Sequence, residues 1–108
     1  MPAGLLLALA IACEVAATVA LRSTHGYSRP LPLLVVILGY GAAFFLLGLV
    51  LRSIPVSVAY AVWSAVGTAA IAVIGMAILG EPVTALKVAS LALIIAGVVG
   101  LNLAGGVG

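Results

Sequence analysis

Glu14 is the first residue in this chain whose type and position demand a chemical explanation. It lies inside Leu7–Leu21, an apolar run of helix length, and is one of only two acidic residues in the sequence. A carboxylate in hydrocarbon costs about 2.5–3.5 kcal/mol on insertion-type scales, and each Leu, Ile or Val returns about 0.3–0.6 kcal/mol. The eight such residues between Leu5 and Leu21 offset it by roughly 2.4–4.8 kcal/mol, so the segment inserts near break-even. A helix serving only as an anchor would do better without Glu14, which marks the position as a functional site. The second acid, Glu81, stands between Gly80 and Pro82 and reads as a loop residue.

Three aromatic residues with polar handles join it: Tyr40, Tyr60 and Trp63. Tyr60 and Trp63 are three apart and share a helix face, which Ser64 and Gly67 extend. Gly67 allows a ligand or backbone to come close. Tyr and Trp often form belts at membrane interfaces, a role that suits Tyr27 and is open to Tyr60 near its helix start, but Tyr40 and Trp63 fall deeper in their segments. A carboxylate beside ring faces suits an apolar organic cation, which gains about 2 kcal/mol or more from each desolvated ring contact. A carboxylate withdrawn from water also holds its proton more tightly. Proton and cation then compete for one group, which is the elementary requirement for exchange. Thr18, one turn beyond Glu14, is placed to donate a hydrogen bond to it. The competing structural reading makes Glu14 an interhelical tie, with small neighbours that merely permit close packing.

Four apolar segments must position these groups, at about residues 3–21, 31–51, 57–79 and 85–103. Each matches the ~20 residues that cross a ~30 Å hydrocarbon core as a helix. Of the 108 residues, 67% are hydrophobic and 6% charged, against about 25% charged in soluble domains. The expectation is an all-α integral membrane protein, a single membrane domain over 1–108, built as a four-transmembrane-helix bundle. A signal peptide is set aside, because Met1-Pro2-Ala3-Gly4 carries no basic residue and Glu14 interrupts the apolar core. Pro30 and Pro32 suit the first turn of helix 2. Arg52 near the end of helix 2 faces its C-terminal dipole, and Pro55 stops continuation. Gly80 suits the end of helix 3 and Thr84 the start of helix 4. Asn102 and then Gly105-Gly106 end helix 4. Arg22 and Arg29, with Lys87, outnumber Arg52 across the two sides, a margin of two that favours the former side in the cytoplasm and leaves mixed insertion open.

Other chemistry is excluded by what is absent from the sequence. One cysteine, Cys13, precludes an intrachain disulfide and reads as a packing residue. One Glu, that Cys and a loop His25 make no metal cluster. No nucleophile–base set, phosphate loop or redox motif is present, so no enzyme and no cofactor other than a coupling proton is expected. A net charge of +2 is too small to suggest nucleic acid. Helix 4 carries Ser90, Ala92, Ala96, Gly97 and Gly100, small residues that favour helix contact. It reads as an assembly helix, since four short helices hardly enclose a pathway alone.

Taken together, the motifs resemble those of the small multidrug resistance transporters, in the EmrE-like multidrug branch. They are Ala10-x-x-x-Glu14-Val-x-x-Thr18, Ser23-x-x-Gly26-Tyr27-x-Arg29, Gly39-Tyr40-Gly41 and Phe44-Phe45-Leu46-Leu47. The most specific is Ile54-Pro55-x-x-x-Ala59-Tyr60-Ala61-Val62-Trp63-Ser64-Ala65-Val66-Gly67-Thr68, and Asn102-Leu103 also fits. The resemblance implies a proton-coupled exporter of lipophilic and quaternary cations in the cell membrane, an antiparallel homodimer with dual insertion. By it Glu14 is the shared proton and substrate site. Tyr40, Tyr60 and Trp63 line the substrate chamber, with Thr18, Ala10 and Leu47 near it. Helix 3 bends near Gly67 to switch access, and helix 4, with Ser90 and Gly97, forms the dimer contact. The chain departs from the family pattern at Ala43, Phe45, Ala65 and Ser90, and at Arg22 after helix 1. Two alternatives stay open: a guanidinium-type exporter of the same family, and a non-transporting or partner-requiring subunit in which Glu14 stabilises assembly.

Overall fold

The computed structural model describes residues 2–104. Among them the regular structure is wholly helical: α1 Ala3–Arg22, α2 Pro30–Val50, α3 Val56–Ala77 and α4 Ala85–Leu103. All four are long and apolar enough to cross a membrane. Helices suit that solvent because every interior backbone donor and acceptor is paired within the segment. Many large apolar side chains stay exposed, among them Leu34, Ile37, Phe44, Leu86 and Leu93. Lipid tails are as apolar as leucine, so such a surface is no penalty there.

The chain divides into two compact units, Met1–Ile54 and Pro55–Gly108. In the first, α1 packs closely along α2; in the second, α3 packs with α4 over a smaller contact. The short connection inside each pair makes its helices antiparallel. Buried side chains in the first unit include Leu7, Ala10, Ile11 and Ala17 from α1 and Val36, Ala43 and Val50 from α2. In α4 no residue is buried.

The helix ends follow local chemistry. Pro30 opens α2 at a position where its missing N–H costs nothing. The segment expected to run to 51 ends at Val50, and its last turn holds no basic residue. Arg52 lies in the following turn, its N–H bonded to the Leu49 carbonyl at 3.2 Å. Helix 3 stops at Ala77, two residues short of the expected end, because the chain is already turning. Gly80 takes a φ of +74°, and the Glu81 N–H returns to the Gly75 carbonyl at 3.0 Å. The Thr84 hydroxyl accepts from the Lys87 N–H at 3.1 Å, a side-chain cap for α4. Helix 4 ends at Leu103, as expected, and Gly105-Gly106 lie outside the described residues.

The α1–α2 connection is built around Thr24, 1% exposed. Its hydroxyl donates to the Leu21 carbonyl at 2.8 Å and accepts from the Tyr27 N–H at 3.0 Å. Its carbonyl accepts from the N–H groups of Ser28 and Arg29 at 2.9 and 3.1 Å. Between them His25, Gly26 and Tyr27 all have left-handed φ values of 47°, 73° and 70°. That backbone costs a non-glycine residue roughly 1–2 kcal/mol, and the bonds to Thr24 hold it in place. Thr24→Val keeps the shape and removes the hydroxyl, leaving the Tyr27 N–H without its partner. A loss of about 1–3 kcal/mol is expected, read as a lower melting temperature in detergent that Thr24→Ser does not show.

Candidate functional site

Where α1 and α2 cross, their backbones come unusually close, and Gly39 is the cause. A Cβ at that position would lie 2.8 Å from the Ala17 Cβ and 3.2 Å from the Cys13 carbonyl oxygen. Only hydrogen on one helix and a methyl on the other permit this approach. The next residue on each helix is polar: Thr18 follows Ala17 and Tyr40 follows Gly39. The close crossing therefore brings two hydroxyls together. Thr18 Oγ1 and the Tyr40 hydroxyl lie 2.6 Å apart.

The carboxylate completes the group. Thr18 Oγ1 donates to Glu14 Oε1 at 3.2 Å, across one helical turn. Glu14, Thr18 and Tyr40 are all half-buried, reachable yet largely withdrawn. On the same face Leu7, Ala10, Ile11 and Ala17 are buried, so the carboxylate sits among short or apolar neighbours. Neither α1 before Arg22 nor any of α2 carries a basic side chain. The arrangement is a carboxylate held by one hydroxyl, with a second hydroxyl behind it and no cation of its own element pair beside it. Such a group is suited to a proton or a monovalent organic cation.

The remaining candidates are distributed as follows. Ala10 is buried on α1 and Leu47 half-buried on α2. In the second unit Tyr60 and Trp63 share α3, but Trp63 is half-buried whereas Tyr60 is 71% exposed. Gly67 is buried, and helical structure runs through it without a break. Ser90 and Gly97 are exposed on α4, and a Cβ added at Gly97 would meet nothing within 4 Å. His25 is exposed in the first connection, and among the described residues no three His, Cys, Asp or Glu side chains gather.

Sequence reasoning anticipated the bond from Thr18 to Glu14. It missed the link from Thr18 to Tyr40, because that link depends on helix pairing, although the Gly39–Tyr40 and Ala17–Thr18 steps carry its signal. Glu81 lies in a loop, as expected, and its carboxylate folds back over Gly75 on α3, occupying the space that a Cβ there would need.

Residues 3–94 match the family model described as Small Multidrug Resistance protein. The chain is 48% identical over 103 residues to the quaternary ammonium compound-resistance protein QacE of Escherichia coli, covering 95% of this chain and 94% of that one. It is 48% identical over 102 residues to the multidrug resistance protein Mmr of Mycobacterium tuberculosis, covering 94% and 95%. It is 50% identical over 97 residues to the uncharacterized membrane protein YvaE of Bacillus subtilis, covering 90% and 82%. With four membrane-length helices and these relatives along nearly its whole length, the chain is a multi-pass membrane protein that belongs to the small multidrug resistance family.

Proposed function

We propose that this protein exports lipophilic and quaternary organic cations in exchange for protons, with Glu14 binding the two alternately. The observation that carries the reading is the half-buried Glu14, bonded to Thr18 and lacking a basic partner on either helix of its pair. A single carboxylate neutralises one charge, so proton and cation exclude each other. Cation affinity then rises with pH while Glu14 loses its proton, levels off once it is ionised, and falls in acid. The relatives' names support the substrate class: one is a quaternary ammonium compound-resistance protein and another a multidrug resistance protein.

In this reading Tyr40, Tyr60 and Trp63 offer ring faces to the cation, with Thr18, Ala10 and Leu47 alongside. Gly67 serves the change of access. The working unit is an antiparallel homodimer joined through α4 at Ser90 and Gly97, and purified protein at twice the 10.6 kDa chain mass would accord with it. The chemistry is transport, and the coupling ion is the proton; no enzymatic step and no other cofactor is needed.

The test uses proteoliposomes with an acidic lumen and a membrane-impermeant quaternary cation outside. Outward proton flow is expected to drive cation accumulation above equilibrium. Accumulation is expected to cease when a protonophore collapses the gradient. Cation entry indifferent to the gradient, or none in protein that remains folded and binds cation, would overturn coupled exchange and favour a partner-requiring subunit.

A further inference from the structure

We infer that Thr18 relays the proton state of Glu14 to the hydroxyl of Tyr40, so that one proton changes two groups of the site; the inference rests on Glu14 being the proton and cation site. A hydroxyl has one proton to give. An ionised carboxylate only accepts, so with Glu14 charged the Thr18 proton is committed to Oε1, 3.2 Å away. The contact of 2.6 Å to Tyr40 must then be made by the tyrosine, whose O–H donates into Thr18 Oγ1. The phenolic proton points at Thr18 and the oxygen lone pairs point away from it.

Protonation of Glu14 reverses the chain. The carboxyl O–H donates to Thr18 Oγ1, and Thr18 turns its proton to the Tyr40 oxygen. The tyrosine O–H, no longer able to donate to Thr18, swings outward. Its positive end now faces away from Thr18, where the lone pairs had been. A cation near Tyr40 meets a favourable dipole when Glu14 is charged and an opposing one when Glu14 carries a proton. The relay thus sharpens the exclusion between the two ligands beyond what the carboxylate achieves alone.

The surroundings are simple enough to assign the effect. On α1 the other titratable groups are Cys13, adjacent to Glu14, and Arg22 at the helix end; on α2, packed against it, Tyr40 is the only one. The alternative origin of a response at Tyr40 is the bare field of the Glu14 charge. Removing the Thr18 hydroxyl separates the two, because the field remains when the relay is cut.

The experiment is nuclear magnetic resonance of the full chain in lipid bilayers, with 13C at tyrosine Cζ and glutamate Cδ, across pH. The Tyr40 signal, assigned by its loss in Tyr40→Phe, is expected to shift with the same midpoint as Glu14, while Tyr27 in the exposed connection stays put. Thr18→Val is expected to lose the Tyr40 shift while Glu14 still titrates, and Thr18→Ser to keep it. Should Thr18→Val not fold, Tyr40→Phe gives the second test: the ratio of cation affinities between high and low pH narrows severalfold. A Tyr40 signal that stays fixed while Glu14 titrates, or one that still moves in Thr18→Val, overturns the relay and leaves the transport reading standing. A Glu14 that does not titrate across the pH range where cation affinity changes overturns both.

Discussion

Glu14→Gln is expected to abolish cation binding at every pH and coupled export with it. The amide keeps the size of the side chain, and its oxygen can still accept from Thr18, whose bond at 3.2 Å is the local restraint on this residue. What is lost is the charge. Removing one partner of a desolvated charge pair costs about 2–5 kcal/mol, which corresponds to roughly 30-fold to several-thousand-fold in affinity. The residual ring contacts are too weak to replace it. Membrane insertion should not suffer, because an uncharged residue is cheaper in hydrocarbon than a carboxylate. Calorimetric titration with tetraphenylphosphonium, on wild type and variant in parallel, decides the matter. Persistent binding that still strengthens as pH rises would show that the proton and cation meet elsewhere.

Gly39→Val is expected to force α1 and α2 apart at their crossing. The glycine's missing Cβ already stands 2.8 Å from the Ala17 methyl and 3.2 Å from the Cys13 carbonyl. Neither neighbour is the end of a flexible chain, so the helices themselves must separate. Overpacking of this kind typically costs about 1–3 kcal/mol. Separation also lengthens the 2.6 Å contact between Thr18 and Tyr40, so cation affinity should fall along with thermal stability. Gly41→Ala is the matched control, because a Cβ there meets nothing within 4 Å. It should be neutral or slightly stabilising, since alanine gains up to about 1 kcal/mol over glycine in a helix. Equal melting temperatures for Gly39→Val and Gly41→Ala would remove Gly39 from its place at the crossing.

Sequence alone made the four helices legible, because hydrocarbon permits few alternatives to a long apolar run. Gly80 and Thr84 were readable as helix punctuation for the same kind of reason: each acts within a turn or two of its own position. Glu14 and Thr18 were readable as a pair because helical geometry sets four-residue neighbours side by side. Thr24 was not, since its burial and its bonds to residues 21, 27, 28 and 29 follow from a left-handed run that Ser-Thr-His-Gly-Tyr does not announce. Arg52 was readable too, as the cation just past the end of helix 2, where it stands in the turn after Val50. Gly39 belongs to the Gly39-Tyr40-Gly41 motif, yet its meaning lies in Ala17 on another helix. Long-range pairs of this kind have no local signature in a chain that is 67% hydrophobic.

The locality of the Glu14–Thr18 bond also bears on biogenesis. A chain is made from its N-terminus onward, so α1 reaches the bilayer before Tyr40 exists. Thr18, on the same helix, can satisfy the carboxylate from the moment that helix forms. Tyr40 then arrives when α2 closes the hairpin, and the first unit, ending at Ile54, has its acid partnered before the second half of the chain is synthesised. Newly made protein therefore need not leave a bare carboxylate in lipid while it waits for later helices.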